Sequence, residues 1–237
     1  MDMYAVIMAG GKGTRLRPFS IVLPKPLVPL GEQPILQVLL KRLKGHGVHN
    51  VTLAVNHFAE LIQAFFQNGE KLGMSIKYST EEKPLSTIGP LKLMEDQLPE
   101  TFLVMNGDLL TDIDFVDFMA FHRRHEGEVT VAVYGRRVQV DYGVMHLDDH
   151  GRLVDFEEKP NREVQVSMGV YAIDRSILRL VPHNESFGFD DLMNVMLAQK
   201  LPVHTYQHTG FWLDIGRPND YEHAQSIWEA TPERFQA

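Results

Sequence analysis

The most constraining feature of this sequence is a short apolar segment that runs directly into a glycine-rich turn. Tyr4–Ala9 is apolar throughout, which predicts a strand that is buried on both faces. Gly10, Gly11 and Gly13 follow at once. Residues 3–31 contain no acid, although the formal charge of the chain is −8. The cations in that range are Lys12, Arg15, Arg17 and Lys25. Because the backbone N–H groups of such a turn can closely approach an anion, the pattern predicts a bound polyphosphate.

Apolar segments and amphipathic segments alternate through the first half of the chain. Further strands are predicted at 51–55, 75–79, 102–105 and 129–134. Helices are predicted at 34–44, 57–66, 89–98 and 114–125, the last with Asp114 as its N-cap. This order predicts an α/β fold with a doubly wound, mostly parallel sheet. Ligands bind beyond the carboxyl ends of the strands in such sheets, and both Gly10–Arg17 and Asn106–Asp108 follow predicted strands.

The second half of the chain is richer in short strands. Strands are predicted at 142–147, 153–158, 166–173, 203–206 and 211–215, and helices at 174–181, 189–199 and 219–229. This pattern predicts a small β-rich layer added to the first half. We find no linker or repeat, so the chain is expected to fold as one unit. His122 and His125 lack a third metal ligand and are expected at a solvated helix end.

Composition excludes several classes of protein. Hydrophobic residues make up 44 % of the chain, and there is no apolar run long enough to span a membrane. The N-terminus lacks the basic region of a signal peptide, and the chain has no cysteine, so no disulfide or thiolate chemistry is available. The negative net charge argues against a nucleic-acid partner. A cytoplasmic protein is expected, with no membrane and no nucleic acid among its partners.

Several motifs together resemble the sugar-1-phosphate nucleotidylyltransferases, also called nucleotide-sugar pyrophosphorylases. The matching blocks run in order from residue 4 to about residue 229, and are Ala9–Pro18 with Leu23–Pro29, Glu82–Pro90, Met105–Asp108, Phe156–Pro160, Met168–Tyr171 and Trp212–Gly216. The resemblance implies a Rossmann-like nucleotidyltransferase fold in a single domain over 1–237. Residues 1–135 would be the nucleotide-binding half and 136–237 the sugar-phosphate-binding half, with a small β-rich sugar-binding region.

This resemblance implies a reaction and its substrates. An NTP and a sugar 1-phosphate would give an NDP-sugar and pyrophosphate by in-line attack, with Mg²⁺ as cofactor and no covalent intermediate. Such chemistry depends on positioning and on neutralising phosphate charge. The short chain most resembles mannose- or heptose-1-phosphate guanylyltransferases, and a homo-oligomer is possible.

The family pattern also implies residue roles. Arg15, Lys25 and Asp108 would be catalytic, and Asp108 and Asp214 would bind the metal. Asp214 interrupts an apolar run, where a carboxylate is costly unless it is paired or metal-bound. The implied nucleotide-binding residues are Ala9, Gly10, Gly11, Lys12, Gly13, Thr14, Thr87 and Gly89. The implied sugar-phosphate-binding residues are Gly143, Glu158, Lys159 and Gly169.

The base is less constrained than the phosphates. Many relatives have Gly-Thr-Ala-Gly where this chain has Ser86-Thr87-Ile88-Gly89. Guanine is favoured, and uridylyl or thymidylyl transfer stays an alternative. A regulatory module that binds nucleotide sugars without turnover is an alternative of another class, although Arg15, Lys25, Asp108 and Asp214 favour catalysis.

Overall fold

The computed structural model describes residues 3–11 and 13–235. Its strands are β1 Met3–Met8, β2 Pro29–Leu30, β3 Gln33–Pro34, β4 Val48–Val55, β5 Ser75–Thr80, β6 Thr101–Asn106, β7 Leu109–Thr111, β8 Val129–Gln139, β9 Val144–Leu147, β10 Leu153–Glu157, β11 Asn161–Asp174, β12 Val203–His208 and β13 Trp212–Asp214. Its α-helices are α1 Ile35–Gly45, α2 Ala59–Phe66, α3 Gly89–Leu93, α4 Phe115–Arg124, α5 Phe189–Ala198 and α6 Pro218–Ala230. Short 3₁₀ helices cover Thr14–Leu16, Lys25–Leu27, Glu70–Leu72, Glu95–Gln97, Arg175–Leu180 and Pro232–Phe235.

Seven strands form the central sheet, in the order β12-β8-β11-β6-β1-β4-β5. The pairs of β1 with β4 and β6, of β4 with β5, and of β12 with β8 are parallel. β11 is antiparallel to both of its neighbours, β6 and β8, so it is the one reversed strand of this sheet. The predicted mostly parallel sheet is confirmed.

Helices cover both faces of the sheet. Successive side chains of β1 point in opposite directions, so Ala5 and Ile7 lie in one hydrophobic core and Val6 lies in the other. The first core takes the apolar faces of α1, α2 and α4, and the second takes those of α3, α5 and the 3₁₀ helix Arg175–Leu180. Each fully buried aliphatic side chain contributes about 2 kcal/mol, which is why two buried faces favour this doubly wound arrangement.

The sequence predicts that the strands of the second half form a β-rich layer of their own, but only some of them lie outside the central sheet. β11 and β12 extend the central sheet, since β11 inserts between β6 and β8 and β12 pairs with β8. The antiparallel hairpin β9–β10 and the antiparallel pair β7–β13 form sheets of their own. A third core lies beneath α6 and the loop that follows the glycine turn, and it includes Leu16, Ile215 and Trp228.

Most element boundaries agree with the sequence within a few residues, although β8 ends five residues later and β11 begins five residues earlier than predicted. The helix expected over 89–98 ends at Leu93 and continues as a 3₁₀ turn, and the one expected over 174–181 is 3₁₀ over Arg175–Leu180. The expectation that His122 is solvated is wrong. Its ring is 3 % exposed and lies 2.8 Å from Thr130 Oγ1, because α4 packs its last turn onto β8. His125 is exposed, as expected.

Within the described residues, no helix combines the length and the apolarity that a membrane crossing needs.

Candidate active site

A cavity of about 520 Å³ lies at the carboxyl ends of β1, β4, β5 and β6. Its lining includes residues from the glycine turn, from the loop after β6 and from the segment before α3. They are Met8, Ala9, Gly10, Gly11, Lys25, Pro26, Ala54, Asn56, Glu81, Pro84, Ser86, Thr87, Asn106, Gly107 and Asp108. The structure therefore brings the two predicted strand-end motifs to one crevice, at the position that an open α/β sheet offers to a ligand.

The glycine turn packs too closely for side chains at two positions. A Cβ on Gly10 would lie 3.0 Å from the Asn56 backbone nitrogen, so the turn rests directly on the segment after β4. Gly13 has a φ of +60°, in the left-handed region that favours glycine. Ser20 Oγ donates to the Gly13 carbonyl at 2.6 Å and fixes the end of the turn. Close packing thus holds the backbone of this turn in place beside the cavity.

Two carboxylates meet because β7 and β13 pair. In that antiparallel pair Asp214 lies opposite Leu109, the residue after Asp108. The Ile215 N–H donates to the Asp108 carbonyl at 3.1 Å and extends the pairing by one residue. Side chains from positions more than a hundred residues apart in sequence therefore lie side by side at the rim of the cavity.

Lys25 stands between these carboxylates. It opens the 3₁₀ helix Lys25–Leu27, in which Pro26 fixes the backbone, and it is 9 % exposed. Its ammonium group donates to Asp108 Oδ2 and lies 3.7 Å from Asp214 Oδ1. A buried cation of this kind is stable because two anions face it.

The electrostatics favour a further cation at this place. Burial and the neighbouring Asp108 raise the pKa of Asp214, and the positive charges of Lys25 and Arg15 offset only part of that rise. Within the described residues, Asp108 Oδ1 and Asp214 Oδ1 are buried and accept no hydrogen bond. Paired carboxylate oxygens without donors fit a hard divalent cation.

The number of protein ligands limits which ion fits. No group of three or more His, Cys, Asp or Glu side chains among the described residues is arranged to hold a metal. An ion here would therefore use two carboxylates and complete its shell with phosphate oxygens and water. Mg²⁺ is bound in this way at nucleotide sites.

Two residues of the predicted phosphate site lie beside the turn and are exposed. Thr14 and Arg15 belong to the 3₁₀ helix Thr14–Leu16, whose Leu16 is buried in the third core. Burial raises the pKa of Asp214, and the positive charge of Arg15 offsets a part of that rise. Lys12 lies outside the described residues.

The predicted nucleotide-binding segment before α3 divides into two parts. Thr87 lines the cavity, and its Oγ1 accepts a hydrogen bond from the Phe189 N–H at 2.9 Å. Gly89 is not among the described lining residues. A Cβ there would lie 2.8 Å from the Glu185 carbonyl, so Gly89 serves the packing of α3 against the segment before α5.

The predicted sugar-phosphate residues lie apart from this lining. A Cβ on Gly143 would lie 2.6 Å from the Phe156 ring and 3.3 Å from Glu158 Oε2, so the start of β9 and the end of β10 are in contact. Glu158 and Lys159 are exposed, and Lys159 has a φ of +44°. Gly169 is buried and its φ is +69°. Of these residues it lies nearest the cavity, against the Asn106 side chain.

Two polar residues of the lining, Asn56 and Glu81, were not predicted at the site, and a third, Asn106, was expected at the crevice but was given no role. Asn56, Glu81 and Asn106 follow or end β4, β5 and β6, respectively. Glu81 Oε2 accepts a hydrogen bond from the Leu85 N–H at 2.8 Å. Burial raises the pKa of Glu81, and hydrogen bonds from Leu85 and Asn56 offset part of the rise. Their common signal is a polar residue at the carboxyl end of a predicted strand.

Comparison with known proteins gives consistent results. The family model described as nucleotidyl transferase matches residues 4–231. The catalytic subunit beta of mannose-1-phosphate guanylyltransferase from Danio rerio is 36 % identical over 247 residues, covering 99 % of this chain and 68 % of that protein. A UTP–glucose-1-phosphate uridylyltransferase from Synechocystis is 31 % identical over 238 residues, covering 92 % of this chain and 61 % of that protein. This chain thus spans about two thirds of the length of these relatives.

Solved structures support the fold. HddC from Yersinia pseudotuberculosis, complexed with GMP-PN, superposes with a TM-score of 0.73 at 24 % identity, covering 95 % of this chain and 99 % of that chain. A putative glucose-1-phosphate thymidylyltransferase from Bacillus anthracis superposes with a TM-score of 0.76 at 22 % identity, covering 95 % of this chain and 94 % of that chain.

Proposed function

This chain belongs to the nucleotidyl transferase family, and from that premise we propose that it transfers a nucleotidyl group from an NTP to a sugar 1-phosphate. The products are an NDP-sugar and pyrophosphate. One observation carries the proposal: Asp108 and Asp214 lie together around Lys25, each with a buried oxygen that accepts no hydrogen bond among the described residues. That cluster lies at the rim of a cavity whose wall is a glycine turn.

The residues of the crevice suit in-line attack at the α-phosphorus. An oxygen of the sugar phosphate forms the new P–O bond as the bond to the bridging oxygen of pyrophosphate breaks. Backbone N–H groups of Gly10 and Gly11 bind phosphate oxygens, and Lys25 neutralises charge at the α-phosphate. Arg15, which is exposed in the 3₁₀ helix after the glycine turn, binds the departing pyrophosphate. No protein nucleophile is needed, because the reaction depends on positioning two anions that repel each other.

Asp108 and Asp214 would hold Mg²⁺. When bound, the ion supplies positive charge to the phosphates and offsets their repulsion. The observation that supports this assignment is the pair of buried carboxylate oxygens without donors. Lys25 already contacts Asp108, so its ammonium group orients that carboxylate.

In this proposal, each half of the chain binds one of the two substrates. Residues 1–135 provide the nucleotide side through the glycine turn and the segment around Thr87. Residues 136–237 provide the sugar side, where Lys159 binds the phosphate and Glu158 accepts hydrogen bonds from sugar hydroxyls. Gly143 and Gly169 let backbone approach the sugar ring. Support comes from the contact of Gly143 with Glu158 and from the position of Gly169 beside the cavity.

The preferred base in this proposal is guanine. Glu81 is a carboxylate in the wall of the cavity, and among the described residues that line it the one cation, Lys25, is paired with Asp108. Guanine presents two adjacent N–H donors on its Watson–Crick edge, whereas uracil and thymine present one. A carboxylate with two acceptor oxygens therefore suits guanine better. The guanylyltransferase relatives support the same choice.

A substrate matrix tests the proposal. Purified protein with Mg²⁺ is incubated with GTP, UTP, dTTP, ATP or CTP against mannose, glucose or heptose 1-phosphates, and pyrophosphate release is measured. We expect turnover for at least one pair, with GTP preferred. Asp108→Asn should abolish turnover, whereas Asp149→Asn, an exposed acid in the β9–β10 turn, should not. Binding of nucleotide sugars without pyrophosphate release for any pair would contradict the proposal and favour a non-catalytic module.

A further inference from the structure

Trp212 connects the strand that carries one carboxylate to the strand that carries Gly169. It lies in β13, two residues before Asp214. Its indole N–H donates to the Met168 carbonyl in β11 at 2.9 Å. Met168 lies where the ladder between β11 and β8 is interrupted, between Ser167 and Tyr171. The indole thus fixes a part of β11 that the β8 ladder does not hold.

The contact continues from Met168 back to the first carboxylate. Gly169 has a φ of +69°, and a Cβ there would lie 2.5 Å from Asn106 Nδ2. Asn106 lines the cavity and precedes Asp108 by two residues. Asp108 accepts the backbone hydrogen bond from Ile215, which follows Asp214. These contacts, together with the covalent chain between the residues they join, therefore form a closed circuit that contains both carboxylates and Gly169.

One bond in this closed circuit of contacts comes from a side chain that is not among the described residues lining the cavity. The Trp212 ring is half-buried and packs against Tyr134 of β8, with ring centroids 5.6 Å apart. Packing against Tyr134 fixes the indole ring, and the indole N–H then fixes Met168 and the glycine after it. Together with the pairing of Val170 and Met105, this hydrogen bond therefore holds Gly169 at its distance from the carboxylate pair.

We propose that Trp212 is a positioning residue that sets the sugar-phosphate side of the crevice against the two carboxylates. This inference rests on the proposed function. In-line attack needs the sugar phosphate within a few tenths of an ångström of its productive place, and a displacement of about 1 Å costs up to about 100-fold in rate. The nucleotide side does not depend on this bond, because the glycine turn is held by Asn56 and Ser20.

The test uses two substitutions at Trp212 and one at the other tryptophan. Trp212→Phe removes the N–H and keeps an aromatic ring. Trp212→His restores an N–H at the corresponding ring position and loses more packing. Trp228→Phe is the control, because Trp228 lies on α6 against Gly31 and Phe235, outside the closed circuit of contacts. For each protein, kcat and both KM values are measured together with the urea midpoint.

Trp212→Phe should raise the KM for the sugar 1-phosphate about tenfold and lower kcat by a similar factor, with the KM for GTP within about twofold of wild type. Trp212→His should recover most of the sugar-phosphate KM although it is less stable than Trp212→Phe. Recovery of binding with lower stability separates positioning from a structural role. Trp228→Phe should leave the ratio of the two KM values unchanged.

A second readout does not need turnover. In the Trp228→Phe protein Trp212 is the remaining tryptophan, and its emission should shift when the sugar 1-phosphate is added but not when GTP alone is added. An unchanged KM ratio in Trp212→Phe, or equal emission changes with both substrates, overturns the inference while an active wild type leaves the proposed function intact. A wild type that releases no pyrophosphate from any pair overturns both.

Discussion

The crevice at the strand ends and the β9–β10 hairpin present their polar groups in different ways. In the crevice, Lys25 and Asp108 lie on segments held by buried strands and by backbone hydrogen bonds. The hairpin is a two-stranded sheet of its own, and several of its apolar side chains face solvent. They are Met145 and Leu147 at 59 % exposure each, Leu153 at 56 % and Phe156 at 47 %.

This difference concerns pre-organisation. A two-stranded hairpin has little stability of its own in water, whereas the central sheet is buried on both faces. Groups in the crevice are thus held near their working geometry before any substrate binds. Glu158 and Lys159 belong to the hairpin end, so a substrate bound there, as proposed, would order them. Losses in the crevice should therefore appear in kcat, and losses at the hairpin should appear mainly in KM.

Asp108→Asn should give the largest effect. The substitution keeps the shape of the side chain and removes one anionic ligand from the carboxylate pair, so kcat should fall about 10³-fold or more. Because Asp108 is one of the two anions that face the buried Lys25, the urea midpoint should fall, although weaker repulsion with Asp214 offsets part of that loss. Steady-state kinetics with Mg²⁺ and urea unfolding check both statements. A kcat within tenfold of wild type would exclude Asp108 as a metal ligand.

Lys159→Ala should act on the sugar side of the comparison. Loss of a charge-assisted contact to phosphate corresponds to about 2 kcal/mol, so kcat/KM for the sugar 1-phosphate should fall about 30-fold. The change should lie in KM, with the KM for NTP unaltered. Lys200→Ala is the matched control, because Lys200 is also exposed and also has a positive φ, of +57°. Equal losses for both substrates would place Lys159 elsewhere.

Glu81→Gln should weaken base selection and leave phosphate chemistry intact. Glutamine offers one acceptor where glutamate offers two, so the preference for GTP over UTP should fall about tenfold. Competition assays with the two nucleotides measure that preference directly. Glu82→Gln is the control, since Glu82 is exposed and adjacent. If Glu81→Gln and Glu82→Gln retain the same preference, Glu81 does not contact the base.

The smallest expected effect is on the apolar surface of the hairpin. Leu153→Ala removes a side chain that is already 56 % exposed, so the free energy of unfolding should change by no more than about 0.5 kcal/mol. Leu103→Ala in β6, where Leu103 is fully buried, should lower it by about 2–5 kcal/mol. Urea unfolding of the two variants measures the contrast. A similar loss in both would mean that the hairpin face is packed in solution.

The sequence was informative where local pattern determines structure. Apolar strands followed by a glycine turn or by Asn106–Asp108 predicted the crevice, since strand ends in a parallel sheet share one edge. It was less informative where the answer depends on distant partners. Asp214 reaches Asp108 only because β13 pairs with β7. His122 is buried because α4 packs onto β8, where its ring nitrogens lie within hydrogen-bond distance of Thr130 and Asp174.

The insertion of β11 and the role of Glu81 show the same limit. β11 reads as an ordinary strand, and only its partners, β6 and β8, place it inside the central sheet. Glu81 is one of two adjacent glutamates, and sequence alone does not show which of them lies in the wall of the cavity. Glu81 differs from Glu82 because elements that are distant in the sequence enclose Glu81, whereas Glu82 stays exposed.

The most direct measurement is the position of a divalent ion in crystals grown with Mn²⁺ and a non-hydrolysable GTP analogue. Anomalous scattering should show a peak within about 2.5 Å of an oxygen of both Asp108 and Asp214, with the nucleotide phosphates against the glycine turn. An ion held by phosphates alone, or a peak bound by other side chains with these two carboxylates turned away, would contradict the account.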